Sequence, residues 1–431
     1  MEIPLITDEF TWNGTWFLPN SDKRISATLK YSPTEGVRLN VVGALGDNDE
    51  YVQSILYNNK TIYEPVILGR TLQCGCVTLL GCIAVHSSIC TNLDIPIVEY
   101  KCRCILCGKQ HYVCMSDSPI FNTVRIQMPM LTEWSPSNVI QHRFGIGEIS
   151  FSVDANNLEQ IENTVSLNDG VQVELLRCVN IHCTQTDIIL KQNTQVEFVF
   201  KNGASISDVN KYVELFTQFI SFSALKLAQI TQLTLSSMER PNDKIYYYPT
   251  NLMHNITSYR KRTSFLFTYN DLENKLSQNF AHILQVWYNV DDEIAPIREH
   301  LIESIIDKPY FNNWDFLMLA QAIDGYHCRF VNGSNKIGYK KRIEDLLGRF
   351  KDVQMLNNSK LNPTIVCNSR NYYSHFFMPK KGQEIYSGKK LYEQTIELRK
   401  LLVCCILNLI GFNNSDIDIM LSRCTFYSNL S

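Results

Sequence analysis

The sequence predicts an α+β protein in which a mainly antiparallel β domain, residues 1–240, precedes an all-α helical bundle, residues 241–431. Up to about residue 200 the apolar side chains come in short Val-, Ile-, Thr- and Tyr-rich runs broken by Gly, Pro, Asn and Asp. Beyond Ser207 they recur every three to five residues. A length of 431 residues suits two domains, each large enough to bury a core.

In the first half, residues 37–42, 76–85, 97–106 and 171–181 read as strands, because β-branched and aromatic side chains suit a pleated, half-buried surface. Many short strands separated by turn residues predict a sandwich or barrel. The period changes after Ser207-Asp208, a pair suited to capping, where Val209, Val213, Phe216, Ile220 and Leu225 take helical spacing. The polar stretch 237–244 follows, and its Pro241-Asn242-Asp243 reads as a turn and as the domain boundary. Beyond it, residues 271–304, 314–330, 339–355 and 391–410 read as helices, the last ending at Gly411, a natural C-terminal cap.

Hydrophobic residues make up 45% and charged residues 19% of the chain, a globular balance that excludes a disordered or low-complexity protein. The net charge of −3 is unevenly spread: residues 241–431 hold 23 Lys and Arg against 19 Asp and Glu, while residues 1–240 hold 17 against 24. A mildly basic helical half fits a phosphate-bearing partner, but the excess is too small for tight nonspecific nucleic-acid binding and is equally the scatter of an ordinary surface. Fifteen cysteines, an odd number that includes the adjacent pair Cys404-Cys405, argue against a secreted disulfide framework and for a reducing compartment. The first residues show no signal-peptide pattern, and no stretch approaches the roughly 18 apolar residues of a membrane span, so the expected location is cytoplasmic, with no membrane partner.

Within the helical half, Arg370-Asn371-Tyr372-Tyr373-Ser374-His375 sets an arginine and an amide ahead of a histidine. These groups support RNA cleavage without a metal or cofactor. An imidazole, which as a class titrates near neutrality, can move the proton of a ribose 2′-hydroxyl or of the leaving oxygen, while a permanently charged guanidinium holds the phosphate and its growing negative charge. The amide can orient the phosphate or the imidazole. Attack by the 2′-hydroxyl leaves a cyclic phosphate and spares DNA, which lacks that group.

With 17 arginines and nine histidines, an Arg–His pair of this spacing arises about once by chance, and Arg177 with His182 is such a pair. It lies in an alternating strand pattern, where residues five apart point to opposite faces roughly 17 Å apart along the strand. On a helix, five residues rise only about 7.5 Å but differ by about 140° in azimuth. That geometry suits a helix terminus, or a cleft completed by a second copy, and so predicts a homodimer or higher homo-oligomer.

The surroundings of this motif resemble a known family. Arg370-Asn371-Tyr372-Tyr373-Ser374-His375 within a helical bundle is similar to the Rx4-6H signature of HEPN domains, and its Arg-Asn-Tyr variant resembles the ApeA-like branch. The helix ending Asp324-Gly325-Tyr326-His327-Cys328-Arg329 and the long final helix from Leu391 to Leu402 resemble that branch as well. At the front, Gly14-Thr15-Trp16, Ala27-Thr28-Leu29 and Gly36-Val37-Arg38-Leu39 are similar to the N-terminal domain paired with this HEPN type, with Ser26-Ala27 standing where that pattern has a glycine.

The resemblance implies an endoribonuclease of anti-phage abortive infection that cleaves host RNA, transfer RNA by analogy, once a phage-encoded trigger protein is sensed. It places catalysis on Arg370, Asn371 and His375, with Asp324, His327 and Arg329 in support. The rival expectation is a catalytically inactive HEPN module that binds nucleotides or RNA or mediates dimerisation.

Each of these residues has a bland reading beside the functional one. Arg370 and His375 read alternatively as a surface arginine and a hydrogen-bonded, partly buried histidine, and Asp324 with Arg329 as a solvated ion pair. Cys102, Cys104, Cys107 and Cys114 invite a zinc reading, but their spacing lacks paired CxxC knuckles, so the expectation is no metal and small apolar cysteines. Tyr247, near Arg260, Lys261 and Arg262, reads either as a weak RNA-binding patch that stacks bases and grips phosphates or as a packed domain junction.

Overall fold

The computed structural model describes residues 3–46, 61–90, 95–113, 118, 120–136, 139–145, 148–153, 158–167, 170–250, 263–306, 308, 310–334, 336–357 and 360–424. The chain forms two compact units. The first comprises Met1–Thr132, Pro136–Thr217 and Gln229–His254; the second comprises Glu133–Ser135, Gln218–Ala228 and Asn255–Ser431.

The first unit opens with β1 (Phe10–Phe17), β2 (Ile25–Ser32), β3 (Gly36–Val42), β4 (Tyr63–Thr71), β5 (Gly75–Cys90) and β6 (Ile95–Cys102). They pair antiparallel in the order β5-β4-β1-β2-β3-β6, and β6 pairs back onto β5, so six strands close a barrel. Alternation packs Trp16, Leu29, Val37, Leu39 and Tyr100 inward, all of them buried. From β5 the sheet also continues outward through β7 (Cys104–Gly108), β15 (Ile245–Pro249), β14 (Gln232–Ser237), β8 (Phe121–Gln127), β13 (Ile188–Ala204), β12 (Val171–Cys183) and β11 (Glu159–Ser166). β9 (Gln141–Gly145) and β10 (Glu148–Ser152) pair only with each other among the described residues.

Two expectations shift here. The run 97–106 is two strands, because the chain breaks at Arg103, whose amide donates to the Leu80 carbonyl at 2.8 Å, and β6 and β7 then pair with different stretches of β5. Pro241-Asn242-Asp243 is a turn, with the Asp243 amide donating to Arg240 at 3.1 Å, but it joins β14 to β15 inside one sheet. β15 fills the place between β14 and β7, so the first unit continues to His254 rather than stopping at residue 240.

Gly69 of β4 lies in register with Trp16 of β1, and the indole covers the place of a side chain: a Cβ on Gly69 would sit 2.3 Å from Trp16 Cε3. Trp16 is fully buried and cannot swing away. Gly69→Ala is therefore expected to destabilise the barrel by about 1–3 kcal/mol, read as a lower thermal midpoint.

The helices are α1 (Pro129–Trp134), α2 (Ile206–Ala224), α3 (Tyr269–Asn274), α4 (Phe280–Asn289), α5 (Asp291–Ser304), α6 (Asn313–Tyr326), α7 (Tyr339–Arg349), α8 (Gln354–Asn357), α9 (Pro363–His375), α10 (Gly388–Leu409) and α11 (Asn414–Arg423). The bundle of the second unit has α10 packed along α6, α6 on α5, and α9 against α6 and α7. Leu398, Leu401, Cys404 and Cys405 of α10 are fully buried, which accounts for the adjacent thiols as small apolar side chains. A second apolar cluster gathers Trp134, Phe219, Phe267, Phe280 and Trp287, with the Trp134 indole donating to the Phe267 carbonyl at 2.9 Å.

The predicted helix 271–304 is three helices. Thr268 and Asp271 form a capping box that starts α3, Asn279 caps α4 by accepting from the His282 amide at 2.9 Å, and Val290 separates α4 from α5. Helix 339–355 likewise stops at Arg349, with α8 as a further short turn. Gly411 ends α10 as expected, at φ +111°.

Candidate active site

Helix α9 carries the Arg-Asn-Tyr-Tyr-Ser-His motif. Its start is fixed by Asn362, whose side chain accepts from the amides of Thr364 and Ile365 at 3.0 and 3.3 Å, ahead of Pro363, which needs no amide partner. Val366 and Ser369 are buried. The chain beyond the helix is tied back to it: the Ser369 hydroxyl accepts from the Tyr386 amide at 2.8 Å, and the Tyr373 hydroxyl donates to the Tyr386 carbonyl at 3.1 Å. Phe376 ends the helix in the left-handed region at φ +56°, which leaves His375 as its last residue. The terminal position removes the 140° azimuth problem, because an end residue is not confined to the flank of the helix.

Arg370 and His375 line one groove of about 630 Å³, together with Asp324 of α6, Arg342 of α7, Trp314 and Phe376. Arg370 donates to the Asn371 amide oxygen at 3.1 Å, stands 3.7 Å from the Asp324 carboxylate, and places its guanidinium carbon 5.5 Å from the centre of the Tyr339 ring. Asp324 also accepts from Arg342 at 2.9 Å. Two guanidiniums thus share one carboxylate, and the groove retains a positive balance that suits a phosphate. His375 is exposed, and its ring lies 5.3 Å from that of Phe377.

The other expected residues divide. Asp324 belongs to the groove. His327, in a single π turn (His327–Val331) that continues α6, is 0% exposed and faces the Asp345 carboxylate at 3.5 Å. Arg329 is exposed and donates to the Glu293 carbonyl at 2.5 Å. Neither lines the groove: the groove's face on α6 and this turn runs through Leu317, Gln321, Asp324 and Cys328 at helical spacing, and His327 and Arg329 fall to either side of that face.

Tyr247 is 1% exposed, and its hydroxyl donates to the Asn210 side chain at 2.7 Å, so it presents no face for a base and the stacking expectation does not hold for it. Arg260, Lys261 and Arg262 lie outside the described residues, as does Cys114. Cys102, Cys104 and Cys107 are buried, and burial pushes the Cys107 thiol well above its usual range. Among the described residues no three His, Cys, Asp or Glu side chains are grouped as a metal site.

Sequence reasoning passed over Arg342, Tyr339 and Trp314. Arg342 follows Lys340-Lys341 and reads as part of a solvated basic face, yet it is only 8% exposed. Trp314, at the start of α6, is 71% exposed, and nothing in its local sequence sets it apart from a buried aromatic.

Burial pushes the His327 imidazole below its usual pKa; Arg342 and Arg349 lower it further, and Asp345 opposes the shift. The unfolded chain therefore takes up the proton first. The stability His327 contributes is fully present above about pH 6.5, the usual imidazole value, and is lost as pH falls below it. The drop in urea-unfolding free energy between about pH 7.5 and 5.5 is expected to be smaller in His327→Gln than in the wild type. Equal drops would place the titration on other groups.

The fold and groove together define a class: a β barrel and sheet domain joined to a helical bundle whose groove pairs an arginine with a helix-terminal histidine. The chain matches the family model ApeA N-terminal domain 1 over residues 11–282 and the model Apea-like HEPN over residues 317–416. It belongs to the ApeA-like HEPN family, and its second unit is a HEPN helical bundle. Comparison with individually curated proteins gave no match. No helix of the described residues is long and apolar enough to cross a membrane.

Proposed function

We propose that this chain is a metal-independent endoribonuclease of the HEPN type. It acts in the cytoplasm on host RNA, with transfer RNA the first substrate to try, in anti-phage abortive infection after its β-rich domain senses a phage-encoded trigger protein. It works as a homodimer or higher homo-oligomer. The observation that carries this reading is that Arg370 and His375 line one groove, of a size that accepts a nucleotide. Membership of the ApeA-like HEPN family supports the nuclease and defence roles.

In the mechanism His375, free at the helix end, takes the 2′-hydroxyl proton or returns one to the leaving 5′-oxygen. Arg370 holds the phosphate and stabilises the charge that grows on its oxygens, the task a metal performs in other nucleases. Asn371 acts through Arg370, since its amide oxygen accepts from that guanidinium.

The test is cleavage of total RNA and of transfer RNA in EDTA, with candidate triggers supplied. Products with 2′,3′-cyclic phosphate ends, and no cutting where the target nucleotide is 2′-deoxy, are expected. RNA that is bound but left intact under every condition would replace this reading with the inactive binding module.

A further inference from the structure

An arginine that stabilises a transition state must be held still, because its side chain otherwise samples many rotamers and loses the geometric advantage. Arg370 is held from three sides, by the Asn371 amide, the Asp324 carboxylate and the Tyr339 ring. Two of these supports are themselves anchored or supplied by helix α7.

Arg342 donates to the Asp324 carboxylate at 2.9 Å and to the Asp324 carbonyl at 3.1 Å, and its remaining donors reach the carbonyls of Ile337 at 3.1 Å and Ser334 at 3.4 Å. A buried guanidinium satisfied by one carboxylate and three carbonyls is a fixed clamp, and it fixes the carboxylate that faces Arg370. Tyr339, the first residue of the same helix, is buried, and among the described residues its hydroxyl has no hydrogen-bond partner. A buried hydroxyl without a partner gives up its hydrogen bonds to water, so a phenylalanine would suit the packing better. What the ring offers in this position is a face beneath the Arg370 guanidinium. Residues 339 and 342 are one turn apart and share a helix face.

We infer that Arg342 and Tyr339 are positioning residues of the groove: Arg342 locks the Asp324 carboxylate, and the Tyr339 ring floors the guanidinium, so that Arg370 is presented in one arrangement. The catalytic consequence rests on the ribonuclease reading; the geometry of Arg370 does not. A purely structural role for Arg342, tying α7 to α6, would lower stability without touching Arg370.

The experiment uses the full chain labelled with ¹⁵N at arginine Nε, the Arg370 signal being identified by its loss in Arg370→Lys. That signal is expected to move towards the position of free arginine in Arg342→Met, Asp324→Asn and Tyr339→Leu, and to stay in Tyr339→Phe. In RNA cleavage, Tyr339→Leu and Arg342→Met are expected to lower kcat by about tenfold or more with KM within about threefold, as misplacement of a transition-state contact does. Arg342→Lys should recover part of the rate. Thermal melts confirm that each variant is folded; should Arg342→Met unfold, the shape-conserving Asp324→Asn and the Tyr339 pair decide. An Arg370 signal unmoved in the folded variants overturns the inference. If the wild type cuts no RNA, the ribonuclease reading fails, and the Arg370 signal still decides the positioning.

Discussion

Replacing His375 with alanine is expected to lower the single-turnover rate of RNA cleavage by about 10²–10⁴-fold, the usual contribution of a general acid or base. The effect should fall on the chemical step alone. His375 is exposed at the end of α9, and the contact described for its ring is with Phe377, itself 67% exposed, so its removal takes nothing from the core. The thermal midpoint and RNA affinity of His375→Ala should therefore match the wild type. Wild-type cleavage by the variant would assign the proton transfer to another group; loss of activity together with loss of folding would make His375 a structural residue.

Arg370→Ala is expected to cost about 10²–10³-fold in rate, because one fixed donor facing a developing oxyanion is worth about 3–4 kcal/mol in a site of this kind. Here affinity should fall too, since Arg370 also meets the phosphate in the ground state, and the salt dependence of binding should weaken. Arg370→Lys separates charge from shape. Lysine keeps the charge but loses the planar fork, so a variant close to alanine in rate but closer to the wild type in affinity is expected. The accompanying loss of stability should be small: the Asp324–Arg370 pair is 3.7 Å apart, both side chains are about 30% exposed, and Asp324 keeps Arg342. A rate unchanged in Arg370→Ala would remove the guanidinium from the mechanism.

How much of this was legible in the sequence depends on the range of the interactions involved. Helical and strand periods are local, and β3, β5, β12, α2 and α10 lie where the apolar spacing put them. The strand copy of the motif could be set aside for a local reason, and Arg177 is indeed buried in β12 against Thr194. Interruptions were harder. A residue such as Asn279 reads as an ordinary polar position of a long helix until its side chain is seen to cap a new one. Partners across the fold were not legible at all. Asp324, Arg342 and Arg370 are 18 and 28 residues apart in sequence, and only the packing of α6, α7 and α9 brings their charges together.

The same limit explains His327, Arg329 and Tyr247. His327 and Arg329 stand beside Asp324 in the sequence motif, but the groove face of α6 and its continuation runs through Gln321, Asp324 and Cys328, which leaves His327 in the core and Arg329 on the Glu293 carbonyl. For Tyr247 the sequence left a base-stacking patch and a packed junction equally open, and β15, running between β14 and β7, has Tyr247 and Tyr248 buried.

The central claim is that one phosphodiester is shared by Arg370 and His375, and the most direct measurement is a crystal structure of the full chain with an uncleavable RNA, 2′-deoxy at the scissile nucleotide. A scissile phosphate oxygen within about 3 Å of the Arg370 guanidinium, with the imidazole of His375 in hydrogen-bond reach of the 2′ position or the leaving oxygen, is the predicted result. RNA seated elsewhere, with both side chains facing solvent, would contradict it.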